Sequence, residues 1–450
     1  MPFPQSFLDE LMARSDIVDV VGSYVQLTRK GANLFGLCPF HSEKTGSFSV
    51  SPDKQIYYCF GCKRGGGVIN FIMEEENLSF PDAVRFLAKR AGMEVPEEDG
   101  DREAGRRRQR LLDLNRDAAR FYYQMLQQPE GRAVQEYLDR RKIRRATAVN
   151  FGLGASLDAW DALILAMTKK GYTKSELLEA GLAVQNRNGG LYDKFRNRLI
   201  FPVIDVRGDV VAFGGRVLDK SEPKYMNSQE TPVYSKRRVL YGLNLAKKSK
   251  RSNIILCEGN IDVVTLHQAG FDNAVASMGT ALTVEQTRLL SRFTKELVLC
   301  YDNDNAGKIA TERALEILNN SEFSVKVLQL PRRRTEDGEL VKQDADDFIK
   351  LQGKDAFEAL LTGSENGIEF RMAQAAGKYD LSSDEARVAY CEEVSALLAA
   401  LANPVEREIY TTRAAETAKI TPEAMRLEVQ RAFKRRLSRE KRQELRRDLN

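Results

Sequence analysis

The chain has 450 residues, 42% hydrophobic and 30% charged, with a net charge of +5. Those values fit an ordinary globular protein of roughly three domains, and six cysteines in such a length exclude a disulfide scaffold. The opening MPFPQSFLDELMARSD carries early acids and no apolar signal region, and no apolar run approaches the ~20 residues that span a bilayer, so a cytoplasmic location is expected.

In chain order, residues 1–97 read as a small N-terminal unit ending in the amphipathic helix PDAVRFLAKRAGM. Within it, Cys38-Pro-Phe-His41 is followed after seventeen residues by Cys59-Phe-Gly-Cys62. Two pairs at this spacing form a zinc ribbon: each pair makes a tight knuckle, and two knuckles complete a tetrahedron. Four protein ligands leave no open position, so one structural Zn2+ is expected. Between the knuckles, SFSVS and QIYYC alternate as strands do. Phe48, Tyr57, Tyr58 and Phe60, with Lys54, Lys63 and Arg64 nearby, suit either a small aromatic core or a stacking surface for single-stranded nucleic acid.

Residues 98–110, charged and without a large apolar residue, read as a linker. Residues 111–250 begin with helices and pass near 191 to strands, LIFPVIDVRGDVVAF giving a hairpin around Arg207-Gly208-Asp209. Residues 251–352 alternate strand and helix, the mark of βαβ units and a mostly parallel sheet. Residues 353–435 are helical at apolar spacing, and 436–450 form a basic tail; the last twenty residues hold nine Lys/Arg against three acids. Cys257, Cys300 and Cys391 read as buried small residues, and His267, alone on a helix, is given no role.

The apolar strand LVLC runs directly into Asp302 and Asp304. A calcium loop would begin this way, but Ala306 and Arg313 stand where two further ligands belong. Open α/β sheets form sites at the carboxyl ends of their strands. Glu258 follows the strand NIILC, Asp262 opens the next helix, and Asp344, Asp346 and Asp347 follow FSVKVLQLP. Acids gathered from three segments repel one another unless cations hold them, and hard oxygen donors select Mg2+ or Mn2+.

Glu258-Gly-Asn-Ile-Asp262 with Asp302-Asn-Asp304-Asn-Ala-Gly307 resembles the TOPRIM fold. CPFH…CFGC followed by VINFIM, and FRNRLIFPVIDVRGDVVAFGGRVL…PKYMNSQET…YGL, are similar to the zinc domain and polymerase core of bacterial DNA primases of the DnaG type. The resemblance runs from about residue 4 to 435. It implies an α/β and α+β multidomain protein: a zinc ribbon, a mixed α+β basic subdomain, a Rossmann-like TOPRIM sheet and a C-terminal helical bundle. It implies DNA-dependent RNA primer synthesis by nucleotidyl transfer. Glu258, Asp302 and Asp304 would be catalytic, with Asp344 and Asp346 joining them as holders of Mg2+ or Mn2+; whether Glu258 is base or ligand stays open. Arg196, Arg198, Arg216, Lys224, Asn227 and Lys236 would contact template and nucleotide. The implied partners are a single-stranded DNA template, ribonucleoside triphosphates and a replicative helicase, at the replication fork in the nucleoid. The helicase-docking domain is expected to be missing from this chain, and a monomer without membrane contact is expected. Two places depart from the family pattern: Gly65-Gly66-Gly67 replaces a Gly-Gly-Asp run, and Arg141-Lys142 replaces Arg-Gly.

Overall fold

In the computed structural model, the N-terminal core gathers Phe7, Leu8 and Leu11 of helix α1 (Gln5–Arg14) with Ile17, Val20 and Val21 of α2 (Ile17–Gly22). The Asp16 carboxylate caps α2 by accepting from the N–H groups of Val18 and Asp19. An antiparallel sheet follows in the order β1 (Thr28–Lys30), β2 (Asn33–Gly36), β3 (Phe48–Ser51), β4 (Ile56–Cys59) and β5 (Gly65–Gly66). Helices α3 (Val68–Glu75) and α4 (Phe80–Arg90) contribute Phe71, Ile72, Val84 and Leu87 to the same core. The two-residue period of β4 divides the aromatics. Tyr57 is buried and stacks on Phe48 at 5.3 Å, whereas Tyr58 and Phe60 are exposed and meet edge to face at 5.1 Å. Gly67, where the family pattern has Asp, is the N-cap of α3 and offers no side-chain cap.

The structure describes residues 3–448 apart from 42, 44, 45, 77, 96–98, 220, 280, 320, 322, 335, 336, 338 and 402. They divide into two units, Met1–Phe323 with Leu330–Phe357, and Ser324–Gln329 with Glu358–Asn450. The start of the expected linker, residue 98, lies outside the described residues; the rest of it, 99–110, is helical. It forms the beginning of α5 (Asp99–Gln127), 29 residues long. Arg, Gln, Glu and Ala favour helix without needing an apolar face, and Arg107 and Arg110 pair with Glu179 and Glu176 at 2.8 and 2.9 Å. Composition alone therefore misses this helix.

After α5 come α6 (Arg132–Arg140), α7 (Arg145–Asn150), β6 (Gly154–Ser156), α8 (Ala162–Lys169), α9 (Lys174–Glu179) and the hairpin β7 (Ala183–Gln185) with β8 (Leu191–Asp193). The predicted hairpin is present as β9 (Arg198–Ile204) and β10 (Val210–Val217), with β11 (Tyr225–Asn227) and β6 on the two edges of an antiparallel sheet ordered β11-β10-β9-β6. Its turn is held by Asp205 Oδ1, which accepts from the N–H groups of Arg207, Gly208 and Asp209. The buried Asn115 of α5 donates to the Val211 carbonyl at 3.2 Å, and Tyr122 packs on Phe213.

Helix α6 ends in a Schellman turn: Lys142 N–H donates to Asp139 O and Ile143 N–H to Leu138 O, both at 2.9 Å. Lys142 therefore sits in the left-handed region at φ 54°, which explains why glycine is usual there. A non-glycine residue in that conformation costs about 1–2 kcal/mol, offset in part by the lower chain entropy it gives the unfolded state. Lys142→Gly should stabilise the protein by roughly 0.5–1 kcal/mol; a denaturation midpoint at or below the parent value would contradict this.

The short helix α10 (Leu243–Ala246) leads to β12 (Asn253–Cys257), α11 (Asn260–Ala269), β13 (Ala274–Ala276), α12 (Val284–Leu290), β14 (Glu296–Cys300) and α13 (Asn305–Leu318). The predicted parallel sheet is found, with β12 flanked by β13 and β14 and both pairings parallel. Cys257 and Cys300 are buried at the ends of β12 and β14, and Cys391 is also buried. The chain then passes through β15 (Ser324–Val327), the hairpin β16 (Arg333–Arg334) with β17 (Leu340–Val341), and α14 (Ala345–Thr362), which kinks at Gly353. In the second unit β15 pairs antiparallel with β18 (Glu365–Asn366). Helices α15 (Gly367–Lys378), α16 (Asp384–Leu398), α17 (Pro404–Ala418) and α18 (Pro422–Asp448) enclose Tyr390, Val394, Leu398, Ala414 and Met425. The expected basic tail continues α18, and its side chains from 440 onward lie outside the described residues. Among the described residues no helix is long and apolar enough to cross a membrane.

His267 is structural, as its solitary position on α11 suggested. Its Nε2 lies 2.9 Å from the Ala274 carbonyl and its ring meets Phe151 edge to face. Burial lowers its pKa from the ordinary 6.5. The unfolded chain takes up a proton near that value that the native protein refuses, so this contribution is full above pH 6.5 and is lost as pH falls below it. His267→Gln should flatten that part of the pH–stability curve; an unchanged difference in stability between pH 7.5 and 5.5 would refute the assignment.

Candidate active site and metal centres

The two knuckles come together because β2 and β4 both pair with β3, which sets Gly36 and Cys59 on either side of Phe48. Cys38 Sγ lies 3.8 Å from Cys62 Sγ, and Cys59 Sγ lies 3.7 Å from His41 Nδ1. Four ligands about 2.3 Å from one ion are separated by about 3.8 Å along the edges of their tetrahedron, so the residues fit zinc. All four ligand atoms fall within 4.8 Å of one another. The N–H groups of Phe40 and Cys62 point at Cys38 Sγ and Cys59 Sγ, each at 3.4 Å. Gly61 is required here, since a Cβ would lie 2.5 Å from His41 Nε2.

Sequence reading missed Glu43. Its Oε2 lies 3.3 Å from His41 Nε2, and its Oε1 accepts from the N–H groups of Cys38 and Ser47. Burial acts to raise the Glu43 carboxyl, but the hydrogen bonds from Ser47 and Cys38 hold it below its ordinary value. A carboxylate on the far nitrogen fixes the tautomer that leaves Nδ1 free for metal. The only signal was an acid two residues beyond the ligand.

The acid cluster is built by register. β12 and β14 run parallel with Cys257 opposite Cys300, so Glu258 and Asp302 leave the sheet at the same end. Asp302 N–H donates to Glu258 Oε1 at 3.1 Å. Asp304 caps α13, its Oδ1 accepting from Gly307 N–H at 2.9 Å. A Cβ at Gly307 would lie 1.9 Å from the Asp302 carbonyl, so only glycine lets the loop close. Lys342, just past β17, donates to Asp302 Oδ2 at 3.1 Å and Asp304 Oδ2 at 3.0 Å. Burial, then the nearby Asp302, raises the Glu258 carboxyl. Burial, then Asp344 and Asp302, raises Asp262 well above its ordinary value.

Asp344, Asp346 and Asp347 also converge within 4.8 Å, but Asp346 differs from its neighbours. It has no exposed surface. Its Oδ2 receives Arg141 and Lys350, both at 2.5 Å, and its Oδ1 receives the Thr265 hydroxyl at 2.6 Å. Its N–H reaches Asp262 Oδ1 at 3.3 Å. The metal role expected of Asp346 thus competes with two protein cations that sequence reading did not connect to it.

The six basic-motif residues also divide. Arg198 and Arg216 are only 6% and 7% exposed: Arg198 donates to the Pro223 carbonyl at 2.9 Å, and Arg216 lies between the rings of Tyr137 and Tyr225. Asn227 donates to the Met278 carbonyl at 3.3 Å. Lys224 is exposed, while Lys236 and Arg196 are half-buried. Arg196 stacks 4.2 Å over Trp160, an exposed ring that sequence reading passed over. Lys194 is another omission: burial, then the proximity of Lys236, lowers its ammonium. Beneath this patch Asp193 accepts from the N–H groups of Leu163 and Ile164 at the start of α8, and burial pushes its carboxyl up to about 6.

Family profiles match the chain in the same order as these sites. A CHC2 zinc finger covers residues 3–103, the N-terminal domain of the DNA primase catalytic core 121–247, and a Toprim-like domain 255–349. The zinc-finger match and the four-ligand cluster support a structural zinc, and the Toprim match implies a divalent metal. A fourth profile, the DnaB-helicase binding domain of primase, matches residues 368–423. The expectation that the docking domain is missing is corrected by that match: its helices carry the same apolar spacing as any small bundle, and a helical bundle is all that residues 353–435 show in sequence.

A DNA primase of Clostridium acetobutylicum is 41% identical over 425 residues, covering 94% of this chain and 69% of that protein. One from Pseudomonas putida is 45% identical over 366 residues, covering 79% of this chain and 54% of that protein. Among solved structures, the zinc-binding and RNA polymerase domains of Aquifex aeolicus primase align with a TM-score of 0.57 at 31% identity, covering 93% of this chain and 98% of that one. A DnaG primase catalytic domain bound to single-stranded DNA aligns at 0.60 and 32%, covering 69% of this chain and 99% of that one.

Proposed function

The chain belongs to the bacterial DNA primase family, and we propose that its synthesis of RNA primers on single-stranded DNA is a metal-dependent nucleotidyl transfer run by the carboxylates at the ends of β12 and β14. The observation that carries this reading is the hydrogen bond from the Asp302 N–H to Glu258 Oε1 at 3.1 Å, which sets the two acids side by side, with Asp304 joined to Asp302 through Lys342. Glu258, Asp302, Asp304 and Asp344 supply the hard oxygen donors that Mg2+ or Mn2+ takes. Such ions, when bound, neutralise the triphosphate and lower the pKa of the attacking 3′-hydroxyl.

The remaining work falls to the chain's own groups. Lys224, Lys236 and Arg196 present cationic heads to nucleotide and template phosphates, which fix position without reading sequence. The Trp160 ring, backed by Arg196, is a platform for an unstacked base. Arg198, Arg216 and Asn227, held by their own contacts within the fold, act at one remove. Asp346 holds Arg141 and Lys350 in place and is assigned to positioning. Residues 1–97 serve as the zinc-binding domain, 111–250 as the basic subdomain and 251–352 as the metal-binding sheet, with residues 368–423 docking the replicative helicase at the fork.

The test is incubation with single-stranded DNA and labelled ribonucleotides, with Mg2+ and Mn2+ compared. Short RNA products are the expected result. Strand cleavage or relaxation without RNA would overturn the reading.

A further inference from the structure

The two halves of the acid cluster are neutralised in different ways. Asp346 is held by Arg141 and Lys350, whose side chains are 25% and 17% exposed. These partners are built into the fold. Asp302 and Asp304 are held by Lys342, whose side chain is 58% exposed. An ammonium on an exposed, flexible four-carbon stem can swing away without unpacking the fold.

Lys342 also stands on one carboxylate oxygen of each aspartate. Asp304 has already committed Oδ1 to the N–H of Gly307, so Oδ2 is the atom it has left to offer, and Lys342 stands on that atom at 3.0 Å. The same ammonium covers Asp302 Oδ2 at 3.1 Å. A divalent cation bonded to these oxygens at roughly 2.1 Å cannot share that space with it. We propose that Lys342 is a resident counter-cation that a divalent metal must displace from Asp302 and Asp304, so that Lys342 sets how tightly this site takes metal. The inference rests on the reading of the acid cluster as a metal site.

The experiment titrates the full, zinc-loaded chain with Mn2+ in the absence of nucleotide and follows free Mn2+ by electron paramagnetic resonance. Lys342→Met should bind Mn2+ about tenfold more tightly than the parent, the scale of one lost charged hydrogen-bonded competitor, while Lys342→Arg stays close to the parent. A Lys342→Met protein that binds Mn2+ no more tightly overturns the proposal, as does an equal gain from Lys308→Met, which removes a neighbouring charge without removing the competitor. Asp302→Asn separates the two levels of inference. If it leaves Mn2+ binding intact, the metal reading falls and this proposal with it. If it abolishes binding while Lys342→Met gains nothing, the role of Lys342 alone is overturned. A far-ultraviolet circular dichroism spectrum that matches the parent's reports that each variant is folded.

Discussion

Asp302→Asn should reduce primer synthesis by roughly a thousandfold while single-stranded DNA binding and folding persist. A metal-borne charge contact supplies several kcal/mol in the transition state, and about 4 kcal/mol is a factor of a thousand in rate. The fold has little to lose. The contact that ties Asp302 to Glu258 is made by its backbone N–H, which the substitution keeps, and the partner it weakens is an exposed lysine. Burial and the Asp302 charge both raise the Glu258 carboxyl, so removing that charge relieves repulsion. The thermal midpoint should hold or rise slightly. Synthesis at the parent rate would defeat the assignment of Asp302, and a large loss of stability would show that it serves the fold.

Asp346→Asn should behave in the opposite way, lowering stability by about 3–5 kcal/mol. The Asp346 carboxylate has no exposed surface, and removing the buried member of an ion pair is strongly destabilising. Here two cations, Arg141 and Lys350, each 2.5 Å from Asp346 Oδ2, lose their partner together. Equilibrium denaturation followed separately for each unit is the measurement, because the chain has two and a single transition is not guaranteed. If the midpoint is unchanged while Mn2+ binding disappears, Asp346 is a metal ligand and the anchoring role is wrong.

These two aspartates mark what could be read from the sequence and what could not. The zinc ligands were legible because each knuckle is local, with two residues between the members of a pair, and neighbouring antiparallel strands join one pair to the other. Glu258 and Asp302 were legible because a parallel sheet brings its strand ends to one side. The cations were not. Arg141 lies 205 residues from Asp346, and Lys342 lies 40 and 38 residues from Asp302 and Asp304. No periodicity links such positions, so a gathering of acids in sequence points to metal alone, although the protein supplies several cations of its own. The basic motifs were named without a means of telling Arg216, held between two tyrosine rings, from exposed Lys224. Trp160 carried no pattern at all and becomes visible only beside Arg196. The helicase-docking helices and the helical residues 99–110 were misread for a shared reason. Amphipathic spacing and charge content describe how a segment meets water, and say little about what it is for.

The length of α5 has a consequence for how this chain tolerates insertions. Its 29 residues make a rod of about 43 Å at 1.5 Å per residue. One residue added among the exposed residues 103–106 rotates the helical residues ahead of it by about 100° and advances them by 1.5 Å. Arg107 and Arg110, which now meet Glu179 and Glu176, would keep their partners only if the insertion lay before them. Seven added residues bring the rod back to within about 20° of its original face while lengthening it by roughly 10 Å. Length changes in this segment are therefore tolerated in steps of helical phase, as they would not be in a flexible tether.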